Sequence, residues 1–154
     1  MIASTPYICY NYFMSNNGDN CIFCKIIKGD ILAHTVYEDD LVRAFLDIKP
    51  IRSGHTLVIP KQHYPDIFTL PEETYHAVMT AAKRLAERIT STLKPQRVGM
   101  MVVGIDVSHA HVHVVPIKEP GDITSTRLLS ERGDAPTTDQ LAAMAMRLRI
   151  EAHT

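Results

Sequence analysis

Three cysteines in 154 residues are too few, and of the wrong parity, for a disulfide-stapled secreted scaffold. They suit a reducing, cytoplasmic setting better. No apolar run approaches the roughly 20 residues that a membrane-spanning helix needs. Net charge is scarce as well. Sixteen Lys and Arg stand against 17 Asp and Glu, and a balance of −1 gives no electrostatic reason to bind duplex nucleic acid or an anionic membrane. Residues 1–18 contain no Lys or Arg, which removes the positive n-region of a secretory signal and the Arg-rich character of a mitochondrial transit peptide. That stretch reads as a poorly ordered extension, or as an upstream start with Met14 as an alternative initiator, and Cys9 within it is given no role. No repeat, long linker or low-complexity segment divides residues 19–154, which read as a single domain. What is present is ordinary globular composition, 45% hydrophobic and 21% charged. A chain of this length buries roughly 68–70% of its unfolded surface, enough for a core without staples.

Residues 21–28 read as a short helix ended by Gly29, and residues 35–37 and 42–47 as two strands joined by the polar turn Glu38-Asp39-Asp40. A third strand, residues 55–59, is stopped by Pro60. Thr69 with Glu72 three residues on has the spacing of a capping box. Behind it Tyr75, Val78, Met79, Ala82, Leu85, Ala86, Ile89 and Leu93 recur at helical spacing, which predicts a long amphipathic helix up to Pro95. Residues 99–103 and 110–115 read as two more strands, and residues 137–150, with Leu141, Met144, Ala145 and Leu148, as a last helix. Strands, one long helix and more strands imply an α+β domain with a five-stranded antiparallel sheet and short flanking helices.

Residues 109–116 (HAHVHVVP) hold three of the eight histidines at a spacing of two. Side chains alternate faces along a strand, so His109, His111 and His113 share one surface while Ala110, Val112 and Val114 enter the core. Such a face suits two chemistries. It binds a transition metal, or it handles phosphate with one imidazole as nucleophile and the others as proton donors. Cys21 and Cys24 form a CxxC pair, which alone is half of a zinc site.

The triad resembles the His-φ-His-φ-His-φ-φ motif of the histidine-triad (HIT) superfamily of nucleotide hydrolases and transferases, where φ is an apolar residue. Residues 21–27 (CIFCKII), 37–40 (YEDD), 44–48 (AFLDI) and 54–63 (GHTLVIPKQH) are similar to further landmarks of that family in the same order. The resemblance spans about residues 20–117. It implies a HIT-like fold and hydrolysis at the α-phosphate of a purine nucleotide conjugate, either an adenosine phosphoramidate or a dinucleoside polyphosphate. His111 matches the nucleophile that forms a nucleotidyl-histidine, His113 the residue that stabilises charge and supplies a proton, and His55 the fourth active-site histidine. Asp47 matches the carboxylate that accepts from the ribose hydroxyls. Ile22, Phe23, Ile48 and Leu57 match the residues that sandwich the base, with plain core packing as their other reading.

By the same resemblance, His63 and His109 complete a structural zinc site with Cys21 and Cys24, the alternative being reduced cysteines packed as small apolar residues. Two departures stand out. Asp106, in the run Gly104-Ile105-Asp106-Val107, occupies the place of a Ser or Thr hydroxyl that donates to phosphate, and an ionised carboxylate cannot donate. The turn between the last two strands is also shortened and lacks the usual Asn. Lys49, Arg52 and Lys61 are expected around the mouth of the site. Two other functions stay open: a nucleotidyltransferase to a sugar phosphate, and a zinc-bound nucleotide-binding interaction module. Finally, the resemblance implies a homodimer, with Ala77 and Ala81 on the long helix expected at the interface.

Overall fold

The computed structural model describes residues 20–124 and 135–151. The expected extension at residues 1–18 and Cys9 lie outside the described residues. In chain order the elements are α1 (Ile22–Lys28), β1 (Thr35–Glu38), β2 (Val42–Leu46), β3 (Thr56–Pro60), a 3-10 turn (Ile67–Thr69), α2 (Glu72–Leu93), β4 (Arg97–Met101), β5 (Val112–Ile117), α3 (Gly121–Thr124) and α4 (Thr138–Leu148). The strands form one antiparallel sheet in the order β1-β2-β3-β5-β4, so the fold is the expected α+β, HIT-like one.

Period-2 alternation decides which side chain goes to which face. Ala44, Leu46, Val58, Val112 and Val114 pack with Val78, Ala82, Leu85 and Ile89 of α2 and with Leu141 and Leu148 of α4. Phe45, Leu57 and Ile59 point the other way and pack with Phe23, Cys24 and Ile26 of α1. Both faces of β3 are therefore covered. All five of its residues are buried, as a continuous apolar run requires. The stripe on α2 recurs at i, i+4, i+7 and i+11 and turns one side of the helix onto the sheet.

Several boundaries differ from expectation. The capping box at Thr69 does not form. Pro71 is the N-cap of α2, while Thr69 donates its hydroxyl to the Asp66 carbonyl and closes a 3-10 turn that Asp66 caps. A capping box does form on α4, between Thr137 and Gln140. Strands β4 and β5 pair from Arg97↔Ile117 to Met101↔His113, so Met101 ends β4 and Val112 begins β5. Pro116 is tolerated inside β5 because it lies beyond the last pair with β3, Thr56↔Val114. Ala81 is buried in the core and Ala77 is partly buried against it. Gly29 ends α1 in the left-handed conformation, φ 86°, with its amide bonded to the Ile26 carbonyl.

Candidate active site and metal centre

The triad segment runs along the α1 face of the sheet, and Phe23 is its floor. The Phe23 ring lies 5.8 Å from His109 and 5.4 Å from His111, edge-on in both cases, and His111 and His113 are 4.9 Å apart. All three imidazoles are buried, while Ala110 and Val112 enter the core behind them. The shared face expected from spacing is what the fold presents, although only His113 belongs to the paired strand β5. Before the strand begins, the segment is held by a hydrogen bond from the Ala110 amide to the Tyr64 carbonyl.

Protons on the rings follow from their partners. His111 Nδ1 is 2.6 Å from the His109 carbonyl. A carbonyl only accepts, so Nδ1 carries the proton and Nε2 keeps its lone pair. At the other end the Ile51 amide donates to His55 Nδ1 at 3.2 Å, and His55 Nε2 is 2.9 Å from His113 Nδ1. One proton lies between His55 Nε2 and His113 Nδ1, and His55 Nδ1 is flanked by the Ile51 amide and the Asp47 carboxylate. Asp47 stands beside this chain, with Oδ2 3.4 Å from His55 Nδ1 and Oδ1 accepting from the Lys49 amide at 2.8 Å.

His111, His113 and Asp47 line a cavity of about 790 Å³, together with Ile22, Phe23, Ile48, Leu57 and Asp106. The four apolar residues matched to a base sandwich divide into two kinds. Phe23 and Leu57 are core residues that also form the floor, whereas Ile22 and Ile48 are 42% and 62% exposed. Exposed aliphatic walls of this kind suit a flat apolar partner. The sequence reading omitted Leu32, which lines the same cavity and is 96% exposed. The apolar run Ile31-Leu32-Ala33 between α1 and β1 was the available signal. Of the three cations expected at the mouth, only Lys49 lines this cavity. Lys61 is at the opposite end of β3 and pairs with Glu38 at 2.9 Å. Arg52 turns to a separate cavity of about 690 Å³ against α4 and binds Asp122.

A second cluster lies at the His109 end. Cys21 Sγ is 3.4 Å from His109 Nδ1, Cys24 Sγ is 3.3 Å from His63 Nδ1 and 3.6 Å from His109 Nδ1, and the two Nδ1 atoms are 3.3 Å apart. All four donor atoms lie within 4.8 Å of one another. Zinc bonds of about 2.3 Å to sulfur and about 2.0–2.1 Å to nitrogen, at tetrahedral angles, require S···N edges of about 3.6 Å and an N···N edge of about 3.4 Å. The observed edges fit that tetrahedron. Burial, helped by the neighbouring His63 and His111 and opposed by a bond from Nε2 to the Pro60 carbonyl at 2.9 Å, brings the His109 imidazole down to about 4. The ring is thus neutral, with Nδ1 aimed at the cysteines, as a metal ligand must be.

A sheet of this order with a buried His-x-His-x-His face at the rim of an apolar cavity defines a histidine-triad protein. The sequence model of the HIT domain matches residues 28–120, and the chain belongs to that family. Protein hit of Bacillus subtilis is 40% identical over 111 residues, which is 68% of this chain and 75% of that one. The adenosine 5'-monophosphoramidase of Saccharomyces cerevisiae is 37% identical over 64% of this chain and 63% of its own, and the adenylylsulfatase of Arabidopsis thaliana is 32% identical over 66% and 54%. Among solved structures, a Hit-like protein from Bartonella henselae superposes with a TM-score of 0.73 at 30% identity, covering 87% of this chain and 98% of that one. A zinc-bound histidine triad family protein from Mycobacterium smegmatis gives 0.66 at 33% identity, covering 86% and 97%.

Proposed function

We propose that this chain is a nucleotide hydrolase that cleaves purine nucleotide conjugates at the α-phosphate through His111. One observation carries the reading: the Nδ1–H of His111 is held by the His109 carbonyl at 2.6 Å, which leaves Nε2 as an unprotonated nucleophile at the cavity wall. Nε2 attacks phosphorus, and the bond to the leaving group breaks with its electron pair going to that group. His113, protonated on both ring nitrogens, gives its Nε2 proton to the leaving group and is left as a neutral imidazole. In the second half, water gives a proton to His113 and attacks phosphorus, and His111 Nε2 departs, releasing the nucleoside monophosphate. Asp47 accepts from the ribose hydroxyls, and Ile22, Phe23, Ile48 and Leu57 enclose the base.

Relatives named as a monophosphoramidase and an adenylylsulfatase support an adenylyl conjugate as the substrate class. Asp106 lines the cavity and is exposed. Its charge repels a phosphate oxygen, which favours a leaving group with an amine or another neutral donor on that side. Incubating the protein with adenosine 5'-phosphoramidate and following AMP release tests the reading. No release at micromolar enzyme over hours would discard it and favour the binding-module alternative, whereas transfer to an added hexose phosphate would favour the nucleotidyltransferase.

We infer further that Cys21, Cys24, His63 and His109 hold one structural zinc ion per chain. The ion would tie the start of α1 to the triad segment and fix the His109 carbonyl on which His111 depends. No helix among the described residues is long and apolar enough to cross a membrane. The proposed enzyme is a cytoplasmic homodimer joined through its open edge strand β4, where Met100 is 47% exposed. Sedimentation equilibrium should give twice 17.3 kDa.

A further inference from the structure

Asp47 lines the nucleotide cavity, but it also has a neighbour behind that wall. Its Oδ1 accepts from the Lys49 amide at 2.8 Å, and its Oδ2 lies 3.4 Å from His55 Nδ1. Across the ring, His55 Nε2 is 2.9 Å from His113 Nδ1. A carboxylate and two imidazoles therefore form a row, and its last atom, His113 Nε2, is the one assigned to the leaving group. The sheet builds this row. Asp47 follows β2, and its amide donates to the His55 carbonyl at 3.0 Å, while Leu57, two residues after His55, pairs with His113 across β3 and β5. Both imidazoles are buried, and the Asp47 side chain is only 12% exposed.

Burial sets a problem for the acid. An imidazole must be cationic if it is to give up a proton and remain neutral, and a buried site disfavours that cation. A carboxylate in line with the rings offsets the penalty. His55 Nδ1 has two states, because it lies 3.2 Å from the Ile51 amide as well. Bare, it accepts from the amide. Protonated, it donates to Asp47, and an N–H on a carboxylate makes the stronger, charge-assisted bond. In that second state His55 Nε2 holds a lone pair and accepts from His113 Nδ1–H, and His113 carries a further proton on Nε2. The row then holds one negative and one positive charge. Release of the Nε2 proton leaves His113 neutral with its Nδ1 proton in place, so the step balances.

We propose that Asp47 is a positioning residue for the acid step, holding His113 as the imidazolium through His55. Other charges act on the same pair. Asp106 lines the cavity with His113 and assists, whereas Lys49 in that cavity and Arg52 and Arg147 beside His55 oppose. His111, 4.9 Å from His113, opposes only when protonated. Asp47 outweighs them by proximity, since its oxygen is 3.4 Å from the ring in a setting where charge is weakly screened. The catalytic consequence rests on the hydrolase reading, but the charge of the pair is a property of the unliganded protein.

Asp47→Asn keeps the shape and an acceptor for the Lys49 amide while removing the charge; Asp47→Ser, which can also accept from that amide, is the companion variant should the first not fold. The first readout is the titration of His55 and His113 in unliganded protein, followed by 15N NMR with chelator present. The pair titrates as a unit, and its apparent pKa should fall by about one pH unit or more in the variant. The second readout is kcat on adenosine 5'-phosphoramidate, on its 2',3'-dideoxy analogue, which has no ribose hydroxyls for Asp47 to hold, and on the p-nitrophenyl ester of AMP, whose leaving group departs without a proton. At about pH 8 the variant should lose about tenfold on both phosphoramidates and less than about threefold on the ester, and the loss should shrink toward about pH 6 as the pair regains its proton. An unmoved titration, or a loss that disappears on the dideoxy analogue, overturns the proposal. If the wild-type protein hydrolyses none of the three the hydrolase reading has failed, and the titration alone then decides whether Asp47 charges the pair.

Discussion

The two ends of the triad segment are held in place by different physics. At the His109 end the constraint comes from side chains: two thiols and two imidazoles converge to edges of 3.3–3.6 Å, and Pro60 takes the remaining ring proton. At the His113 end it comes from backbone, because the Ile51 amide orders His55, His55 orders His113, and a buried ion pair secures the loop. His111 lies between and is tied to the first end through the His109 carbonyl. The four donors at the first end have the spacing of a metal site, whereas His55 at the second is oriented by the loop before β3.

The largest expected effect removes the residue between the ends. His111→Ala should lower turnover to below about 1% of wild type, while AMP affinity stays within about tenfold because ribose and base contacts are untouched. Turnover of several per cent in a rigorously purified variant would contradict the nucleophile assignment.

Cys24→Ser attacks the His109 end alone. Metal analysis should show zinc falling from one per chain to a trace, and the melting temperature should drop by on the order of 10 °C, since a metal that binds only the folded chain stabilises it. Turnover should fall with it, because the His109 carbonyl loses its anchor. Zinc well below one per chain in wild-type protein prepared without chelator would count against the site.

Gly54→Ala attacks the other end. Gly54 has φ 95°, a region costly for alanine, and an added Cβ would come within 2.5 Å of Leu93 Cδ1. Roughly 1–2 kcal/mol of destabilisation is expected from the backbone alone, read by urea denaturation, with full zinc content retained. Loss of zinc in this variant would show that the two ends are not independent.

The sequence was legible where the physics is local. Period-2 spacing is fixed by strand geometry, so the shared face of His109, His111 and His113 could be read without a fold. The α2 stripe followed from the 3.6 repeat in the same way. The cap at Thr69 failed because its hydroxyl has a nearer acceptor, the Asp66 carbonyl, and because Pro71 already begins the helix with a fitting φ of −55°. The metal cluster joins residues up to 88 positions apart, and only resemblance to a family suggested it. Arg52 and Lys61 were placed at the cavity mouth on charge alone, yet Asp122 and Glu38 turn them away. Neither partner was visible in the sequence, since the pairing of loop charges depends on how distant segments dock.

The smallest expected effect is a pH dependence confined to the His113 end. Burial by itself would raise the Asp122 pKa, but the Arg52 guanidinium and the amides of Lys118 and Glu119 outweigh it and bring the carboxyl down to about 2 from its usual 3.8. Between those values the unfolded chain binds a proton that the folded chain does not, so acid favours unfolding. The stabilisation from the ionised carboxylate is therefore complete above about pH 4 and drains away toward about pH 2. An asparagine at this position cannot titrate. In urea titrations the wild-type midpoint should exceed that of Asp122→Asn near neutral pH, and the difference should narrow below about pH 4. Both proteins are compared with chelator present, so that acid release of metal from Cys21 and Cys24 cancels. A difference that stays constant down to about pH 2 would mean that the carboxylate charge does not hold the loop, and that the His113 end rests on packing instead.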